Sequence, residues 1–249
     1  MKLIVCENYE EISVRAAQIV ADVMKARPDC VLGLATGSTP VGMYDELVRR
    51  YEAGELDFSA VRSVNLDEYY PISPENAQSY RYFMNKNLFD RVNIDKANTD
   101  VPNGAAADPD AECADYEKRI AALGQVDIQV LGIGQNGHIG FNEPAEALYP
   151  LTHLTGLTES TLKANARFFT EDEVMPTAAL TMGMGTILRA RKIIILANGE
   201  AKADAIRTLL SGMVTTDCPA SFLNLHDDVT VICDKAALSK TDMQAIDCM

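Results

Sequence analysis

One histidine stands in a loop whose neighbours suit it for acid–base chemistry. His138 lies in the run GIGQNGHIGFNEP, residues 132–144, between the amide of Asn136 and the carboxylate of Glu143. An imidazole changes charge near neutral pH, and an adjacent carboxylate or amide fixes its tautomer. The glycines of the run allow tight turns, and the apolar residues 126–131 before it predict a buried strand. We interpret the run as a catalytic loop; the alternative is a structural histidine bonded to the backbone.

The same run also contains the spacing G-x-G-x-x-G, which is the fingerprint of dinucleotide-binding loops. That fingerprint requires a helix to begin at the third glycine, so that its amides face the pyrophosphate. Gly140, Asn142 and Pro144 follow instead, and none of them favours a helix interior. The spacing therefore favours a catalytic loop over a nucleotide site.

Two adjacent carboxylates follow another predicted strand. Asp67 and Glu68 come directly after residues 61–66, half of which are apolar. Successive residues of a strand face opposite ways, so the two carboxylates are expected to do different jobs. The alternative is a pair of solvated acids that cap the next turn.

A small-residue loop has the features of a phosphate site. Gly37, Ser38 and Thr39 join a predicted strand, residues 30–35, to a helix expected after Pro40. Small residues at a helix N-terminus let backbone amides and hydroxyls approach an anion. The loop lacks the lysine and the spacing of a Walker loop, so ATP hydrolysis is not implied. Taken alone, it could also be an ordinary turn.

Two cations are candidates for the same anion. Lys202 is expected in the first turn of a helix, where the helix dipole disfavours positive charge, so an anionic ligand there would explain it. Arg167 lies in a predicted helix at residues 160–169. Both cations could converge with Ser38 and Thr39 on one phosphate. The alternative for each is a solvated surface position.

Composition limits the partners and the location. The 249 residues carry a net charge of -14 and are 47% apolar, which allows a sizeable core and disfavours nucleic acids and anionic membranes as partners. The six cysteines are scattered, with no C-x-x-C pair, so neither a zinc site nor a disulfide framework is expected. There is no signal-peptide pattern and no run of about 18 apolar residues. We expect a soluble, cytoplasmic protein.

Strands and helices alternate along the chain. Strands are predicted at residues 2–6, 30–35, 61–66, 126–131, 192–197 and 229–233, and helices between them, with a terminal helix starting at residues 235–238. This alternation predicts an α/β fold, a doubly wound and mostly parallel sheet with helices on both faces, in one domain over residues 1–249. Such sheets bind ligands beyond the carboxyl ends of their strands, where the stretches above are expected. The Met/Gly-rich residues 181–188 have no clear assignment.

Taken together, these segments resemble a known family. LGLATGSTP, VNLDEYY, LGIGQNGHIGFNEP, ANARFF and NGEAKADAI occur in the order found in glucosamine-6-phosphate deaminases, and the resemblance covers nearly the whole chain. It implies a Rossmann-like fold and conversion of glucosamine 6-phosphate and water to fructose 6-phosphate and ammonia, in amino-sugar catabolism. The reaction is an aldose–ketose isomerisation coupled to deamination. No cofactor and no metal are implied.

The resemblance also implies roles for individual residues. Asp67 corresponds to the base that moves a proton from C2 to C1, and His138 to the group that assists ring opening. Glu143 and Asn136 correspond to the partners of that histidine. The implied phosphate ligands are Gly37, Ser38, Thr39, Arg167 and Lys202, and the implied mobile, helical lid spans residues 157–185.

The sequence departs from the family pattern in two places. Asn136 stands where some members carry Asp, and an amide cannot take up charge, so any proton relay here must depend on Glu143. Allosteric members carry a basic cluster after the catalytic loop and a tyrosine near the C-terminus, whereas residues 145–155 contain no Arg or Lys and the last tyrosine is Tyr149. We therefore expect no activation by N-acetylglucosamine 6-phosphate. Monomer and homo-oligomer both stay open.

Two other functions are compatible with parts of this pattern. A hydrolase of the 6-phosphogluconolactonase type would share the fold and the phosphate loop but would need no base at C2. A non-catalytic sugar-phosphate sensor, such as the effector domain of a transcriptional regulator, would be expected with an attached DNA-binding domain, whereas the sequence starts directly with its first predicted strand. The VNLDEYY segment and the complete loop at residues 132–144 favour the deaminase.

Overall fold

The computed structural model of the chain describes residues 1–158 and 175–242. Its strands are β1 (Lys2–Cys6), β2 (Val31–Leu34), β3 (Arg62–Asn65), β4 (Asp67–Tyr70), β5 (Thr99–Asp100), β6 (Ile128–Gly132), β7 (His153–Gly156), β8 (Ala178–Thr181), β9 (Ile193–Ala197) and β10 (Val229–Asp234). Its helices are α1 (Tyr9–Ala26), α2 (Val41–Glu52), α3 (Tyr80–Asn87), α4 (Pro109–Leu123), α5 (Met184–Leu188) and α6 (Ala203–Leu209). Short 3-10 helices lie at Phe89–Arg91, Lys96–Asn98, Glu200–Lys202 and Pro219–Leu225.

Seven of the described strands form one sheet, in the order β1-β10-β9-β6-β2-β3-β5, and all neighbours in it run parallel. Apolar clusters cover both faces, because successive strand residues point opposite ways. Leu32 packs in the cluster that contains Ile12 of α1 and Leu47 of α2. Val31, its neighbour, packs in the other cluster with Tyr116 of α4. The predicted doubly wound α/β sheet with helices on both faces is confirmed.

Three of the described helices, α1, α3 and α4, begin at a side-chain acceptor. Oδ1 of Asn8 accepts from the N–H of Glu11 at 2.9 Å and starts α1, and Oγ of Ser79 accepts from the N–H of Tyr82 at 3.0 Å and starts α3. The N-cap of α2 differs, because Pro40 offers no side-chain acceptor. The first turn of α2 therefore has no side-chain cap from its own N-cap residue.

The strand order reverses between β2 and β6, which are neighbours in the sheet. From β2 the chain continues to β3 and β5 on one side, and from β6 it continues to β9 and β10 on the other. Loops that leave two such strands diverge to opposite sides and open a crevice at their carboxyl ends. The fold therefore places its natural ligand site after β2 and β6.

A second, antiparallel sheet was not predicted from the sequence. It has the order β4-β8-β7 and pairs Asp67 with Thr181. The strand β8 lies within the segment expected to form a lid, but Leu180 and Thr181 are fully buried, so this part of the segment belongs to the core. The expected helical conformation of the lid is wrong at Ala178–Thr181, which form a strand, and residues 159–174 lie outside the described residues.

Two further expectations are corrected or resolved. The predicted terminal helix is wrong at residues 235–238, which form turns. The Met/Gly-rich residues 181–188 end β8 and then form the short helix α5. No helix in the described part of the chain is long and apolar enough to span a membrane.

Candidate active site

Four neighbouring strands deliver the candidate residues to one edge of the sheet. The strands β9, β6, β2 and β3 lie side by side and run parallel. Lys202 follows β9, His138 follows β6, Gly37 follows β2 and Asp67 follows β3. Because parallel strands end at the same edge, the sheet brings together candidates that are up to 165 residues apart, from Gly37 to Lys202.

The loop after β6 is bent tightly under the imidazole. The N–H of Gly134 donates to the carbonyl of His138 at 2.9 Å, and the N–H of Gly137 donates to the carbonyl of Gly134 at 3.1 Å. A side-chain carbon at position 134 would lie 2.3 Å from ring atoms of His138, so only glycine fits there. Gly137 has a φ of +82°, which also favours glycine.

Two partners surround one ring nitrogen of His138. Nδ1 lies 2.8 Å from Oδ1 of Asn136 and 3.3 Å from Oε1 of Glu143. Both partners are acceptors, so Nδ1 carries the hydrogen and Nε2 of the neutral ring keeps its lone pair. The His138 side chain is 31% exposed. No described residue hydrogen-bonds Nε2, so among these residues nothing competes with a ligand for that nitrogen.

Asp67 is the first residue of β4 and is buried. Burial, and after it the negative charge of Glu68, raises the pKa of Asp67 to about 8. A carboxyl group of this kind is a stronger base than a solvated carboxylate, and it titrates near neutral pH. As expected from strand alternation, Glu68 has different surroundings, because its carboxylate binds the start of α3.

Thr181 and Gly140 join the catalytic loop to the strand that carries Asp67. Oγ1 of Thr181, which is paired with Asp67 across the β4–β8 ladder, accepts from the N–H of Phe141 at 3.1 Å. A side-chain carbon at position 140 would lie 2.9 Å from Thr181 Oγ1 and 3.5 Å from Asp67 Oδ2. The loop therefore passes directly beside the Asp67 carboxylate.

The loop after β2 is open to solvent at Gly37 and Ser38. Gly37 has a φ of +91°, and a side-chain carbon there would meet no atom within 4 Å. The hydroxyl of Tyr9 donates to the carbonyl of Ser38 at 2.9 Å and accepts from the N–H of Gly42 at 2.9 Å. Tyr9 thus links the loop, which includes Thr39, to the first turn of α2.

Lys202 ends a 3-10 helix and is the N-cap residue of α6. Burial lowers the pKa of Lys202 below its usual range. No carboxylate within the described ranges pairs with its ammonium group, whereas Lys192 and Lys235 both have such partners. A half-buried ammonium without a counterion gains from an anionic ligand. The other predicted cation, Arg167, lies outside the described residues.

Some contacts at this edge could not be found from sequence. Tyr9 lies in the first turn of α1 and Thr181 lies in a strand that was not predicted, so neither residue type nor spacing marked them. In the parts of the chain that are described, no cluster of His, Cys, Asp or Glu is arranged to hold a metal ion. The cysteines of those parts are buried and unpaired.

Comparison with known proteins identifies the family. The family model for glucosamine-6-phosphate isomerases and 6-phosphogluconolactonase matches residues 7–232. The chain is 56% identical over 237 residues to the glucosamine-6-phosphate deaminase of Clostridium perfringens strain 13, covering 95% of this chain and 98% of that protein. It is 54% identical over 239 residues to the corresponding deaminase of Halothermothrix orenii, covering 96% and 99%.

The chain belongs to this isomerase and lactonase family. Within the family, the predicted resemblance to glucosamine-6-phosphate deaminases is confirmed, and the protein is an enzyme. A solved structure of a monomeric glucosamine-6-phosphate deaminase is 47% identical, with a TM-score of 0.93 over 96% of this chain and 100% of that one.

The lactonase branch of the family is more distant. The 6-phosphogluconolactonase of Trypanosoma cruzi has a TM-score of 0.75 but only 22% identity, over 96% of each chain. That likeness shows the shared fold alone. The family contains both activities, so the choice between them depends on the residues at the carboxyl edge of the sheet.

Proposed function

We propose that the protein converts glucosamine 6-phosphate and water to fructose 6-phosphate and ammonia, as a step in amino-sugar catabolism. The observation that carries this proposal is the pairing of two different proton-transfer groups at one sheet edge. Asp67 is a buried carboxyl group with a raised pKa, and His138 is an imidazole whose Nε2 has no hydrogen-bond partner among the described residues. An isomerisation that moves a proton between adjacent carbons needs such a base within reach of both carbons.

The phosphate of the substrate would anchor the sugar. The open loop of Gly37, Ser38 and Thr39 offers backbone amides and hydroxyls, and Lys202 offers a half-buried cation without a counterion among the described residues. Arg167, which the family resemblance adds to this set, would contribute a second cation. Anchoring at C6 fixes the far end of the ring, so that binding energy orients C1 and C2 for reaction.

His138 would open the ring. Its Nε2 takes the proton of the anomeric hydroxyl while the C1–O5 bond breaks, and the proton passes to the ring oxygen. Glu143 stabilises the imidazolium that forms in between, since its Oε1 lies 3.3 Å from Nδ1. Asn136 holds the ring in one tautomer but carries no charge.

Asp67 would then move a proton between carbons. The carboxylate takes the proton from C2 of the open aldehyde form, the electrons of that bond form the C1–C2 double bond, and the carbonyl electrons move to O1, which takes a proton from the adjacent ammonium group to give a neutral enolamine. Protonation at C1 by the same carboxyl group converts the enolamine to a protonated imine at C2 and restores the carboxylate. Water adds to the imine and ammonia leaves, giving the ketose phosphate.

The proposal is tested by assaying the purified protein for fructose 6-phosphate and ammonia. Asp67→Asn keeps the size of the side chain but cannot accept a proton, so kcat should fall on the order of a hundredfold or more. The matched control is Asp227→Asn, which changes an exposed residue and should leave kcat unchanged. An Asp67→Asn variant with near wild-type kcat would refute the role of Asp67.

The lactonase alternative is separated by a second substrate. A lactonase hydrolyses 6-phosphogluconolactone with an activated water and has no use for a base at C2. We expect ammonia release from glucosamine 6-phosphate and no accelerated opening of the lactone. Lactone hydrolysis without ammonia release would overturn the proposal.

A further inference from the structure

Glu68 is an almost fully buried carboxylate next to Asp67, and the proposed proton transfers do not use it. Its side chain is 1% exposed. Oε1 accepts from the N–H of Tyr69 at 2.9 Å and from the N–H of Tyr80 at 2.8 Å, and Oε2 accepts from the N–H of Arg81 at 2.9 Å. Two of these donors belong to the first turn of α3, where the helix dipole also favours a negative charge.

These contacts decide which of the two neighbouring carboxyl groups loses its proton first. Burial raises the pKa of Glu68, but its three N–H donors all stabilise the charged form and oppose that rise. Burial also raises the pKa of Asp67, and no hydrogen-bond donor from the described residues lowers it. The pKa of Glu68 is raised to about 7 and that of Asp67 to about 8, so Glu68 loses its proton first as pH rises and Asp67 keeps its proton to higher pH.

Among the described residues, no group other than Glu68 raises the pKa of Asp67 by its negative charge. The charge of Asp67 in turn acts on Tyr44 of α2, Tyr69 of β4, Tyr80 of α3 and Tyr116 of α4. Burial raises the pKa of each of these tyrosines, so they stay neutral where an enzyme works. The Arg81 guanidinium donates to Oγ1 and the carbonyl of Thr99, at 2.7 and 3.0 Å.

We propose that Glu68 is a positioning residue whose buried negative charge makes Asp67 a stronger base, while its carboxylate holds α3 against the strand that begins with Asp67. The proposal rests on the proposed function, because base strength matters only if Asp67 moves the C2 proton. Glu68 does not touch the substrate in this account. It acts through Asp67 alone.

The test compares the pH dependence of kcat/KM in wild type, Glu68→Gln and Ser79→Ala. Glu68→Gln removes the charge, so the acid limb of the kcat/KM profile, where activity rises as Asp67 loses its proton, should move to lower pH. The plateau value of kcat/KM should fall roughly threefold or more, because a weaker base reacts more slowly. Ser79→Ala loosens the same end of α3 by removing its N-cap but keeps the charge of Glu68. Ser79→Ala should therefore leave the acid limb of the kcat/KM profile at the pH of wild type.

Glu68→Asp is the rescue variant. It keeps the charge and shortens the side chain, so the acid limb should stay near that of wild type even if thermal stability falls. If Glu68 had a purely structural role, both Glu68 variants would have a lower kcat/KM at every pH, and the acid limb of the profile would not move. That result would overturn the proposal.

A readout independent of catalysis separates this proposal from the proposed function. The carboxyl ¹³C signal of Asp67, assigned by its loss in Asp67→Asn, reports its titration in the ligand-free protein. We expect its midpoint to fall in Glu68→Gln and to stay in Ser79→Ala; an unchanged midpoint overturns the role of Glu68. If the midpoint falls but the acid limb of kcat/KM does not move, the electrostatic coupling stands and Asp67 is not the base.

Discussion

Nδ1 of His138 lies 3.3 Å from Oε1 of Glu143, so the imidazole has a carboxylate partner inside its own loop. Asn136 completes the contact set, because its Oδ1 lies 2.8 Å from Nδ1 and its Nδ2 donates to Oε2 of Glu143 at 2.6 Å. The three side chains form a closed triangle in which only Glu143 can carry a negative charge. Any imidazolium that forms during ring opening is therefore stabilised by Glu143.

Replacing Glu143 with Gln should lower kcat about ten- to a hundredfold, because the charge that stabilises the imidazolium is lost. KM should change little, since Glu143 is not expected to touch the phosphate. The matched control is Glu146→Gln, the same change at an exposed position of the same loop. Steady-state kinetics with glucosamine 6-phosphate checks this. Similar kcat values for the two variants would exclude a role for Glu143.

Replacing Lys202 with Ala should act on phosphate binding instead of chemistry. The lost charge-assisted contact corresponds to about a ten- to hundredfold rise in KM for glucosamine 6-phosphate. Free glucosamine lacks the phosphate, so its kcat/KM should hardly change. Lys118→Ala is the control, because Lys118 is exposed and pairs with Asp115 on α4. An equal loss of kcat/KM for both sugars would contradict phosphate binding by Lys202.

Two central strands of the main sheet, β2 and β9, were predictable because they are short and carry no polar side chain. The runs that became β2 and β9 are buried at every position, as expected for parallel strands covered on both faces. The loops that follow them carry small and polar residues, which marked the ends of the strands. The order β9-β6-β2-β3 then follows from how such sheets are wound, and it explains why distant motifs meet.

The small antiparallel sheet was not predictable from local pattern. Asp67–Tyr70 contains two acids and two tyrosines, and such a segment has the composition of a turn or of a site. Its strand conformation depends on pairing with Ala178–Thr181, more than a hundred residues away. The same pairing buries Asp67, so the raised pKa of its carboxyl group depends on a contact that spacing alone did not reveal.

The contact between Tyr9 and the phosphate loop gives a third prediction. Tyr9→Phe removes the hydroxyl that joins the carbonyl of Ser38 to the N–H of Gly42, and it keeps the ring that packs against Gly42. Each lost hydrogen bond is worth about 1 kcal/mol, so KM for the phosphorylated sugar should rise roughly fivefold or more with kcat nearly unchanged. An unaltered KM in Tyr9→Phe would mean that the loop keeps its shape without these two hydrogen bonds, and it would contradict the prediction.

The control for Tyr9→Phe is Tyr51→Phe. Tyr51 lies at the far end of α2, where its ring packs edge-on against Phe58 at 6.2 Å between centroids. The same atom is removed from a tyrosine remote from the loop, so KM should stay at the wild-type value. If both variants raise KM equally, the effect comes from general loosening of α2 and not from the loop.

The buried Asp67 should also make the protein less stable as pH rises. Its pKa is raised to about 8 in the folded chain, whereas an unfolded chain loses this proton near pH ~3.9. Between these values the folded state holds a proton that the unfolded state has lost, so the free energy of unfolding falls with pH, by at most about 1.4 kcal/mol per pH unit. Asp67→Asn removes this dependence, because an amide does not titrate.

The stability advantage of Asp67→Asn over wild type should therefore grow steadily from pH 5 to pH 8. Urea denaturation of both proteins at each pH measures the difference in the free energy of unfolding. For the control Asp227→Asn, this free energy should change with pH in the same way as in wild type. A constant difference between Asp67→Asn and wild type would mean that Asp67 is already ionised in the folded protein at pH 5, and that its proton is not held by burial.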